Sequence, residues 1–512
     1  MCIGQKFKGF SLTCDSNCDM AEFHIKDAHT GARKPVAEAE DGYGGGYVPP
    51  HRDVPRYVHV KSYNTKDQHF KGLFLAQELV GEKRPDPGLH NSVTQVAIGS
   101  KILSHGDAAI WAADFSSSGR YLAVAGKDQF IRLFKVILTE EDRKAQEEED
   151  KGAGTTSENF APVFRSKPIR EFKGHTGDVL DLSWSKNDFL LSCSADKTVR
   201  LWHTSQPNCL RLFAHEKIVT SVAFHPIDDR FFLSGSLDTK LRLWSIPDMC
   251  VAHSASACDF ITAVAFTPEG KVAICGSLNG TCIFFDTDGL AVKYQIRACS
   301  SQVKNERCNK ITGIQTLLIP ENTDTNSGVK VLITTNDSQI RVYDMDDRTL
   351  RVKLEGLKNQ SSQIHARFND DGKYVICGSE SQKVYIWHLG SPNPGIKDQE
   401  PCESFSTHSE VVTNAIIAPT ATRQLLSASR DPVYDLCNPP PIVLLSLEES
   451  TAGKTAKSNP SFDDVRTTTA QLEESPTYKE RCRHFDGNII VTTDTAGRVK
   501  VFRQDCASKG RY

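Results

Sequence analysis

The chain has 512 residues, well above the usual size of one compact domain, so it forms several domains or one large repetitive architecture. Hydrophobic residues make up 39% of it and charged residues 24%, which is ordinary globular usage. The formal net charge of −3 excludes a basic footprint for nucleic acid and a polybasic patch for membranes.

The chain begins with a segment that lacks regular patterning. Residues 1–91 include the Gly/Pro-rich stretch GYGGGYVPPHRDVPRY, and we predict them to be a largely disordered tail and linker. The glycines at 42–47 lack the Lys-Ser/Thr of a phosphate loop. Cys14 and Cys18 have no second ligand pair, so we expect no metal and no cofactor.

No window is apolar enough for a signal peptide or a membrane-spanning helix. The 16 cysteines are scattered singly, often inside apolar runs, which favours small buried residues in a reducing cytosol over a disulfide framework. We therefore expect a cytoplasmic protein that reaches any membrane only through a partner.

Internal repeats decide the fold prediction. Six segments each contain a small polar turn, an alternating strand and an aromatic residue six positions after the turn residue. The segments are GKDQFIRLF (126–134), SADKTVRLW (194–202), SLDTKLRLW (236–244), SLNGTCIFF (277–285), TNDSQIRVY (335–343) and SESQKVYIW (379–387). A seventh copy, TDTAGRVKVF (493–502), has Ala496 where the others have the polar turn residue.

Two further short strands precede each turn, and another follows each aromatic residue. They alternate, are rich in β-branched and aromatic residues, and are bounded by Gly, Asp, Asn and Pro. Four short antiparallel strands per unit are typical of a propeller blade. The sequence therefore predicts an all-β, seven-bladed propeller over residues 92–503, followed by a C-terminal tail at 504–512.

Two stretches interrupt the repeat, at residues 139–168 and 420–487, and we predict both to be long, disordered surface loops. Without them about 43 residues remain per unit, within the 40–45 of a WD-type blade. The chain stops soon after the third strand of unit seven, which leaves an edge open. We expect the alternating segment at 92–102 to supply the missing outer strand and close the ring.

Residues 174–202, GHTGDVLDLSWSKNDFLLSCSADKTVRLW, contain the His, Ser and Asp of a hydrolase triad. However, SCSAD is not the GxSxG of a nucleophile elbow, and its serines lie on a strand with a buried pattern. His215, Asp238 and Trp244 repeat the set in the next unit. An enzyme needs one active site whereas a scaffold needs one polar clamp per blade, so we expect no catalysis.

The same stretch is a near-consensus WD40 repeat: GH, then about 20 residues, Asp, five more residues and Trp. In WD repeats the entry-loop His, a Ser or Thr of the second strand, the turn Asp and the Trp form a hydrogen-bonded tetrad. The resemblance implies this role for residues of units two and three. They are His175, Ser192 or Ser194 (of which we select Ser194), Asp196 and Trp202, and in unit three His215, Asp238 and Trp244.

Seven segments resemble the rabphilin-eleven-like family of WD-repeat effectors of the recycling-endosome Rab GTPase, and segments such as FLAQEL and SSQI go beyond general propeller patterning. The seven are FKGLFLAQEL (70–79), KGHTGDVLDLSWSKNDFLLSCSADKTVRLWH (173–203), FHPIDDRFFLSGSLDTKLRLWSIPD (224–248), CIFFDT (282–287), KITGI (310–314), NDSQIRVYD (336–344) and SSQI (361–364). The resemblance implies a scaffold or effector in endosomal vesicle trafficking, with protein partners that include a Rab-type small GTPase. A WD-repeat adaptor such as a ubiquitin-ligase substrate receptor remains the alternative.

Propellers bind partners through the face that carries the turns and the entry loops. The residues just ahead of the turn position include Lys127, Leu237, Leu278 and Asn336, and we predict that they contribute to partner binding. Leu237 and Leu278 come from neighbouring units and would form a small apolar patch, unless they pack locally against adjacent loops. We expect a monomeric propeller that binds no nucleic acid and lies peripherally on endosomal or Golgi membranes through its partners.

Overall fold

The computed structural model describes residues 55–65, 68–79, 109–152, 161–298, 309–319, 328–389, 400–429, 431–437, 484 and 486–506. All of them fall in one unit formed by residues 53–437 and 482–512. They form 29 β-strands and three α-helices. None of these helices is long and apolar enough to cross a membrane.

The first half of the chain contains β1 (Lys61–Tyr63), β2 (Leu73–Leu79), β3 (Ile110–Phe115), β4 (Tyr121–Gly126), β5 (Ile131–Lys135), α1 (Glu140–Gly152), β6 (Arg170–Phe172), β7 (Val179–Trp184), β8 (Phe189–Ser194), β9 (Thr198–His203), β10 (Gln206–Ala214), β11 (Val219–Phe224), β12 (Phe231–Ser236), β13 (Lys240–Ser245) and β14 (Cys250–Ser256). The second half contains β15 (Ile261–Phe266), β16 (Val272–Ser277), β17 (Thr281–Asp286), β18 (Val292–Arg297), β19 (Ile311–Ile319), β20 (Gly328–Thr335), β21 (Gln339–Asp344), β22 (Leu350–Leu354), β23 (Arg367–Phe368), β24 (Tyr374–Cys377), β25 (Lys383–His388), β26 (Cys402–Ser406), β27 (Val412–Ile417), α2 (Thr420–Ser427), α3 (Tyr434–Cys437), β28 (Ile489–Asp494) and β29 (Val499–Gln504).

The strands form seven antiparallel sheets, one for each predicted unit. Blades one to five are β3–β6, β7–β10, β11–β14, β15–β18 and β19–β22; blade six is β23–β26 with β1, and blade seven is β27–β29 with β2. The first strands of neighbouring blades contact one another from β3 round to β27 and back to β3. The ring is therefore closed, and the prediction of a seven-bladed propeller is confirmed.

The hydrophobic core lies between adjacent blades, and β8 shows why. Alternate side chains of a strand point to opposite faces of its sheet. Leu190 packs in a cluster with blade-one residues such as Phe172. Its neighbour Leu191 packs in the next cluster with blade-three residues such as Val222. Both faces of the middle strands are therefore buried, which explains their short, nearly continuous apolar runs.

The ring is closed by a different segment from the one predicted. β2 pairs with β29, with Leu73 opposite Gln504 and Leu79 opposite Val499. Residues 92–102 lie outside the described residues. β2 buries Leu73, Phe74, Ala76 and Leu79 almost completely, so apolar surface decided the pairing rather than proximity to unit one along the chain. The propeller therefore begins before residue 92.

Blade six has a fifth strand that the sequence did not predict. β1 pairs with the outer strand β26, with Lys61 opposite Ser404 and Tyr63 opposite Cys402. His69 and Phe70 lie between β1 and β2, and their backbone N–H groups donate to the carboxylate of Glu403 in β26, at 2.6 and 3.2 Å. The predicted N-terminal tail thus contributes two strands to two neighbouring blades.

The two predicted loops contain ordered structure in their described parts. The first includes α1, and Val163 and Phe164 are fully buried beyond it. The second includes α2 and α3, and Tyr434 is fully buried. Residues 153–160 and 438–483 lie outside the described residues. The prediction of disordered loops is wrong for these described parts because each supplies apolar side chains to the core.

A buried ion cluster holds these two insertions against blade seven. The Asp431 carboxylate contacts Arg143 of α1 at 2.9 Å and Arg503 of β29 at 2.6 Å. Asp431 and Arg503 are fully buried. A buried carboxylate is costly unless it is paired, and two guanidinium groups satisfy this one.

Cys193, Cys275 and Cys377, which lie inside apolar runs of the sequence, are buried free thiols. Burial raises the pKa of Cys275 to about 12, which leaves it an unreactive thiol at neutral pH. Cys506 is disulfide-bonded, which the scattered spacing did not predict.

Candidate functional site

The turn between the second and third strands has the same hydrogen-bond geometry in blades one to five. In blades one to five the Asp or Asn side chain at the turn accepts the backbone N–H two residues later, at 2.9–3.3 Å. The residue between them has a positive φ, as at Lys197 (67°) and Thr239 (67°). Asp and Asn tolerate and stabilise such turns, which explains why the sequence repeats them at this position.

Blade two has the complete polar clamp. His175 Nδ1 lies 2.8 Å from the second carboxylate oxygen of Asp196, and His175 Nε2 lies 2.7 Å from Ser192 Oγ. Trp202 Nε1 donates to the same Ser192 Oγ at 2.8 Å. One chain of hydrogen bonds thus joins the entry loop, the second strand, the turn and the third strand of the blade.

The serine in this clamp is Ser192, so the selection of Ser194 was wrong. Ser194 Oγ instead donates to the Gly177 carbonyl and accepts the Asp196 N–H, both at 3.0 Å. Both serines are fully buried. The buried pattern of β8 allowed either serine, and only the side-chain positions distinguish them.

The clamp favours the ionised form of Asp196. Burial opposes ionisation, but hydrogen bonds from His175 and Thr198 outweigh burial and hold the pKa of Asp196 well below its usual value. Ser192 Oγ contacts His175 and Trp202 at 0% exposure, so it has no solvent-facing position from which to attack a substrate. The geometry is that of a structural clamp, and propellers of this kind are typically non-catalytic.

Blade three keeps half of the clamp. His215 Nε2 lies 2.8 Å from Ser234 Oγ, and Trp244 Nε1 donates to the same oxygen at 2.9 Å. Asp238, however, pairs with Arg242 at 2.5 Å, and His215 Nδ1 lies 3.2 Å from the Phe213 carbonyl. The predicted His215–Asp238 contact is therefore absent. Burial lowers the pKa of His215 to about 4.

Blade seven contains a partial clamp that the sequence did not predict. His408 Nε2 lies 2.8 Å from Thr492 Oγ1, and His408 Nδ1 lies 3.0 Å from Asp494. Asp494 stands two residues before Ala496 and accepts the N–H groups of Ala496 and Arg498. Asp494, two positions before the usual turn residue, thus replaces the missing turn Asp. This carboxylate is visible in the sequence TDTAG.

The four residues predicted to bind partners share one backbone position. The N–H groups of Lys127, Leu237, Leu278 and Asn336 each donate to a carbonyl of the entry loop of their own blade, at 2.8–3.1 Å. They therefore lie on the same face of the ring. Leu278 is 42% exposed, whereas Leu237, Lys127 and Asn336 are partly buried.

Phe260, in the entry loop of blade four, is a neighbour that the sequence reasoning missed. It is 44% exposed, and its carbonyl accepts the Leu278 N–H at 2.9 Å. The Ile218 carbonyl accepts the Leu237 N–H at 3.0 Å in the same way one blade earlier. We call Ile218, Leu237, Phe260 and Leu278 the turn-face patch.

The first strands of blades one to six also line a cavity of about 500 Å³ around the ring axis. Arg367 of blade six reaches across it, and its Nη1 donates to Asp114 of blade one at 3.0 Å. Burial raises the pKa of Asp114 to about 6 although Arg367 opposes the shift. Among the described residues, no group of three or more His, Cys, Asp or Glu side chains could hold a metal ion.

The repeats agree with a known family model. The model for the WD domain, G-beta repeat, matches residues 98–135, 166–203, 207–245, 249–286 and 353–388. These matches fall in blades one to four and blade six, so the repeats of blades five and seven were found only by their internal similarity. The protein is an all-β, seven-bladed propeller built from WD40 repeats.

Among curated proteins, the chain is 42% identical over 347 residues to WD repeat-containing protein 44 of Xenopus laevis, covering 61% of this chain and 37% of that protein. It is 39% identical over 324 residues to an uncharacterised WD repeat-containing protein of Schizosaccharomyces pombe, covering 61% and 54%. It is 29% identical over 406 residues to 2-deoxy-glucose resistant protein 2 of Saccharomyces cerevisiae, covering 68% and 46%. The chain thus spans about half or less of the length of these relatives.

Proposed function

We propose that this WD-repeat scaffold binds a Rab-type small GTPase and acts in endosomal membrane traffic. The support is the likeness to WD repeat-containing protein 44, together with the segments of the sequence that resemble Rab effectors. Binding of this kind would place the protein on endosomal or Golgi membranes through its partner.

The observation that carries the proposal is the turn-face patch. Phe260 and Leu278 are 44% and 42% exposed, and one backbone hydrogen bond holds them side by side. Thr220 Oγ1 of blade three donates to the Ile261 carbonyl of blade four at 2.7 Å, which joins the first strands of the two blades that carry the patch. Contiguous apolar residues on an otherwise polar surface are characteristic of protein interfaces.

The direct test is a binding titration of the full chain against a purified recycling-endosome Rab, loaded either with a non-hydrolysable GTP analogue or with GDP. We expect binding at least about tenfold tighter with the analogue, a difference of about 1.4 kcal/mol. Equal or undetectable binding in both nucleotide states contradicts the GTPase proposal. Selective binding to a ubiquitin-ligase adaptor instead would support the alternative function.

The patch is tested separately with Leu237→Asp combined with Leu278→Asp. The pair should weaken GTPase binding by at least about tenfold because it introduces two charges into an apolar contact. Val292→Asp is the matched control, since Val292 is 63% exposed on the outer strand β18. If the double variant binds like the control, the interface lies elsewhere on the propeller.

A further inference from the structure

The segment SSQI at 361–364, which resembles the effector family, lies where the entry loop of blade six meets the turn face. Three consecutive backbone N–H groups, those of Gln360, Ser361 and Ser362, converge on one oxygen of Glu380, at 3.1, 2.8 and 2.9 Å. Ser361 Oγ donates to the same oxygen at 2.9 Å. Four donors thus form a nest around a single carboxylate oxygen.

The nest keeps Glu380 charged. Burial opposes its ionisation, but the hydrogen bonds from Ser361 and Ser362 outweigh burial and lower the pKa of Glu380 to about 2. The carboxylate therefore carries a full negative charge at neutral pH. Ser361 is exposed and lies in an irregular stretch outside the strands, so its hydroxyl is accessible although it is hydrogen-bonded.

The nest is followed directly in the chain by Gln363, a side chain that lines the central cavity. Gln363 Nε2 donates to the carbonyls of Thr312 in blade five, at 2.8 Å, and of Thr262 in blade four, at 3.3 Å. The next residue, Ile364, accepts a hydrogen bond from Thr312 Oγ1 at 2.6 Å. Residues 361–364 thus connect the nest in blade six to blades four and five.

We propose that Ser361 is a phosphorylation site, and that phosphate on its hydroxyl expels Glu380 from the nest and releases Gln363 from blades four and five. The modification site, the carboxylate it repels and the side chain it releases are all defined by hydrogen bonds of this loop. The proposal is independent of which partner the turn face binds.

The chemistry is an ordinary phosphoryl transfer from a nucleoside triphosphate, catalysed by a protein kinase. The bond between the γ-phosphorus and its bridging oxygen breaks, a bond from that phosphorus to Ser361 Oγ forms, and the hydroxyl proton and a nucleoside diphosphate leave. The new group carries a charge of about −1.5 to −2 at neutral pH. It would stand within hydrogen-bond distance of the Glu380 carboxylate, where two like charges cannot share the nest.

Two measurements test the proposal. The first is mass-spectrometric mapping of the full chain purified from eukaryotic cells in phosphatase inhibitors, which should find phosphate on Ser361. The second is hydrogen exchange of Ser361→Glu, in which the amides of residues 360–364 should exchange at least about tenfold faster than in the unaltered chain. Unmodified Ser361 in cells, or unchanged exchange in Ser361→Glu, overturns the proposal.

Three variants separate charge repulsion from simple damage to the loop. Ser361→Ala keeps the three backbone hydrogen bonds and should leave exchange within about twofold of the unaltered chain. Ser409→Glu adds the same charge at an exposed residue in the next entry loop, with no carboxylate bound to its hydroxyl, and should not alter residues 360–364. In a Glu380→Gln background, Ser361→Glu should accelerate exchange less than it does beside Glu380; equal acceleration in both backgrounds contradicts the repulsion mechanism.

Discussion

Blades two and three contain the same four residue types at equivalent positions but connect them differently. In both blades the Trp N–H and the His Nε2 meet on one serine, Ser192 or Ser234. In blade two the turn Asp holds the His, whereas in blade three it holds an arginine four residues later. The turn Asp therefore has two separable roles.

The first role is local and common to the repeats. One oxygen of Asp196 accepts the Thr198 N–H and one of Asp238 accepts the Lys240 N–H, both at 2.9 Å. The partner of the second carboxylate oxygen differs between blades. In Asp128 and Asp337, as in Asp238, this oxygen pairs with the arginine four residues later. Asp196 also has an arginine at that spacing, Arg200, yet pairs with His175.

Asp196→Ala should destabilise the protein more than any other single change considered for the clamps. It leaves His175 Nδ1 and the Thr176 N–H without their acceptor, and the His175 side chain is fully buried. We expect a loss of about 3 kcal/mol in the free energy of unfolding, measured by urea denaturation. Asp288→Ala, at an exposed position, should change it by less than about 0.5 kcal/mol. A loss below about 1 kcal/mol for Asp196→Ala would show that the clamp is not what stabilises blade two.

The pH dependence of stability should differ between the two blades. His215 has a folded pKa of about 4, below its unfolded value of 6.5, so the unfolded state binds more protons between these values. Stability is therefore lost as the pH falls from 6.5 to 4. His215→Gln should reduce this loss by about 2 kcal/mol, measured by urea denaturation at both ends of that range. The Asp196 clamp instead loses its contribution only below pH 3.8, since the folded pKa of Asp196 is lowered.

Equal losses in His215→Gln and in the unaltered chain would show that His215 is accessible to protons in the folded state. His365 and His484, whose pKa values are lowered to about 3 and about 4 by burial, are present in both proteins and cancel in the comparison.

Double-mutant cycles measure directly how strongly the His and the turn Asp interact in each of the two blades. His175→Phe combined with Asp196→Ala should give a coupling of about 2 kcal/mol, because the two side chains are hydrogen-bonded at 2.8 Å. His215→Phe combined with Asp238→Ala should give less than about 0.5 kcal/mol, because Asp238 is bonded to Arg242 instead. Similar couplings in the two blades would show that the turn Asp contacts the His in both.

The smallest expected difference separates the two serines of β8. Ser192→Ala removes the partner of two fully buried side chains, at His175 Nε2 and Trp202 Nε1, whereas Ser194→Ala removes the partner of the Asp196 N–H and the Gly177 carbonyl at a partly exposed turn. We expect Ser192→Ala to destabilise the protein by about 1 kcal/mol more than Ser194→Ala. The order of the two thermal midpoints, measured by calorimetry, provides the check; a reversed order would reassign the clamp to Ser194.

Much of the fold could be predicted because it repeats. The period of about 43 residues, the alternating strands and the recurring turn Asp each depend on local patterns that copies along the chain reinforce. The same locality explains the errors. The outer strand of blade seven, the extra strand of blade six and the packed insertions depend on contacts between residues hundreds of positions apart, such as Arg143 with Asp431.

The amino-acid sequence was sufficient for the class of the protein: seven repeated β units, their turns, and the residue types that form the clamps of units two and three. The tertiary structure set the partner of each polar group, as with Ser192 rather than Ser194 for His175, and Arg242 rather than His215 for Asp238. It also brought Phe260 beside Leu278 and Glu380 onto the loop of Ser361. Strand and turn formation depend on neighbours along the chain, whereas hydrogen-bond partners and surface patches depend on which blades lie side by side.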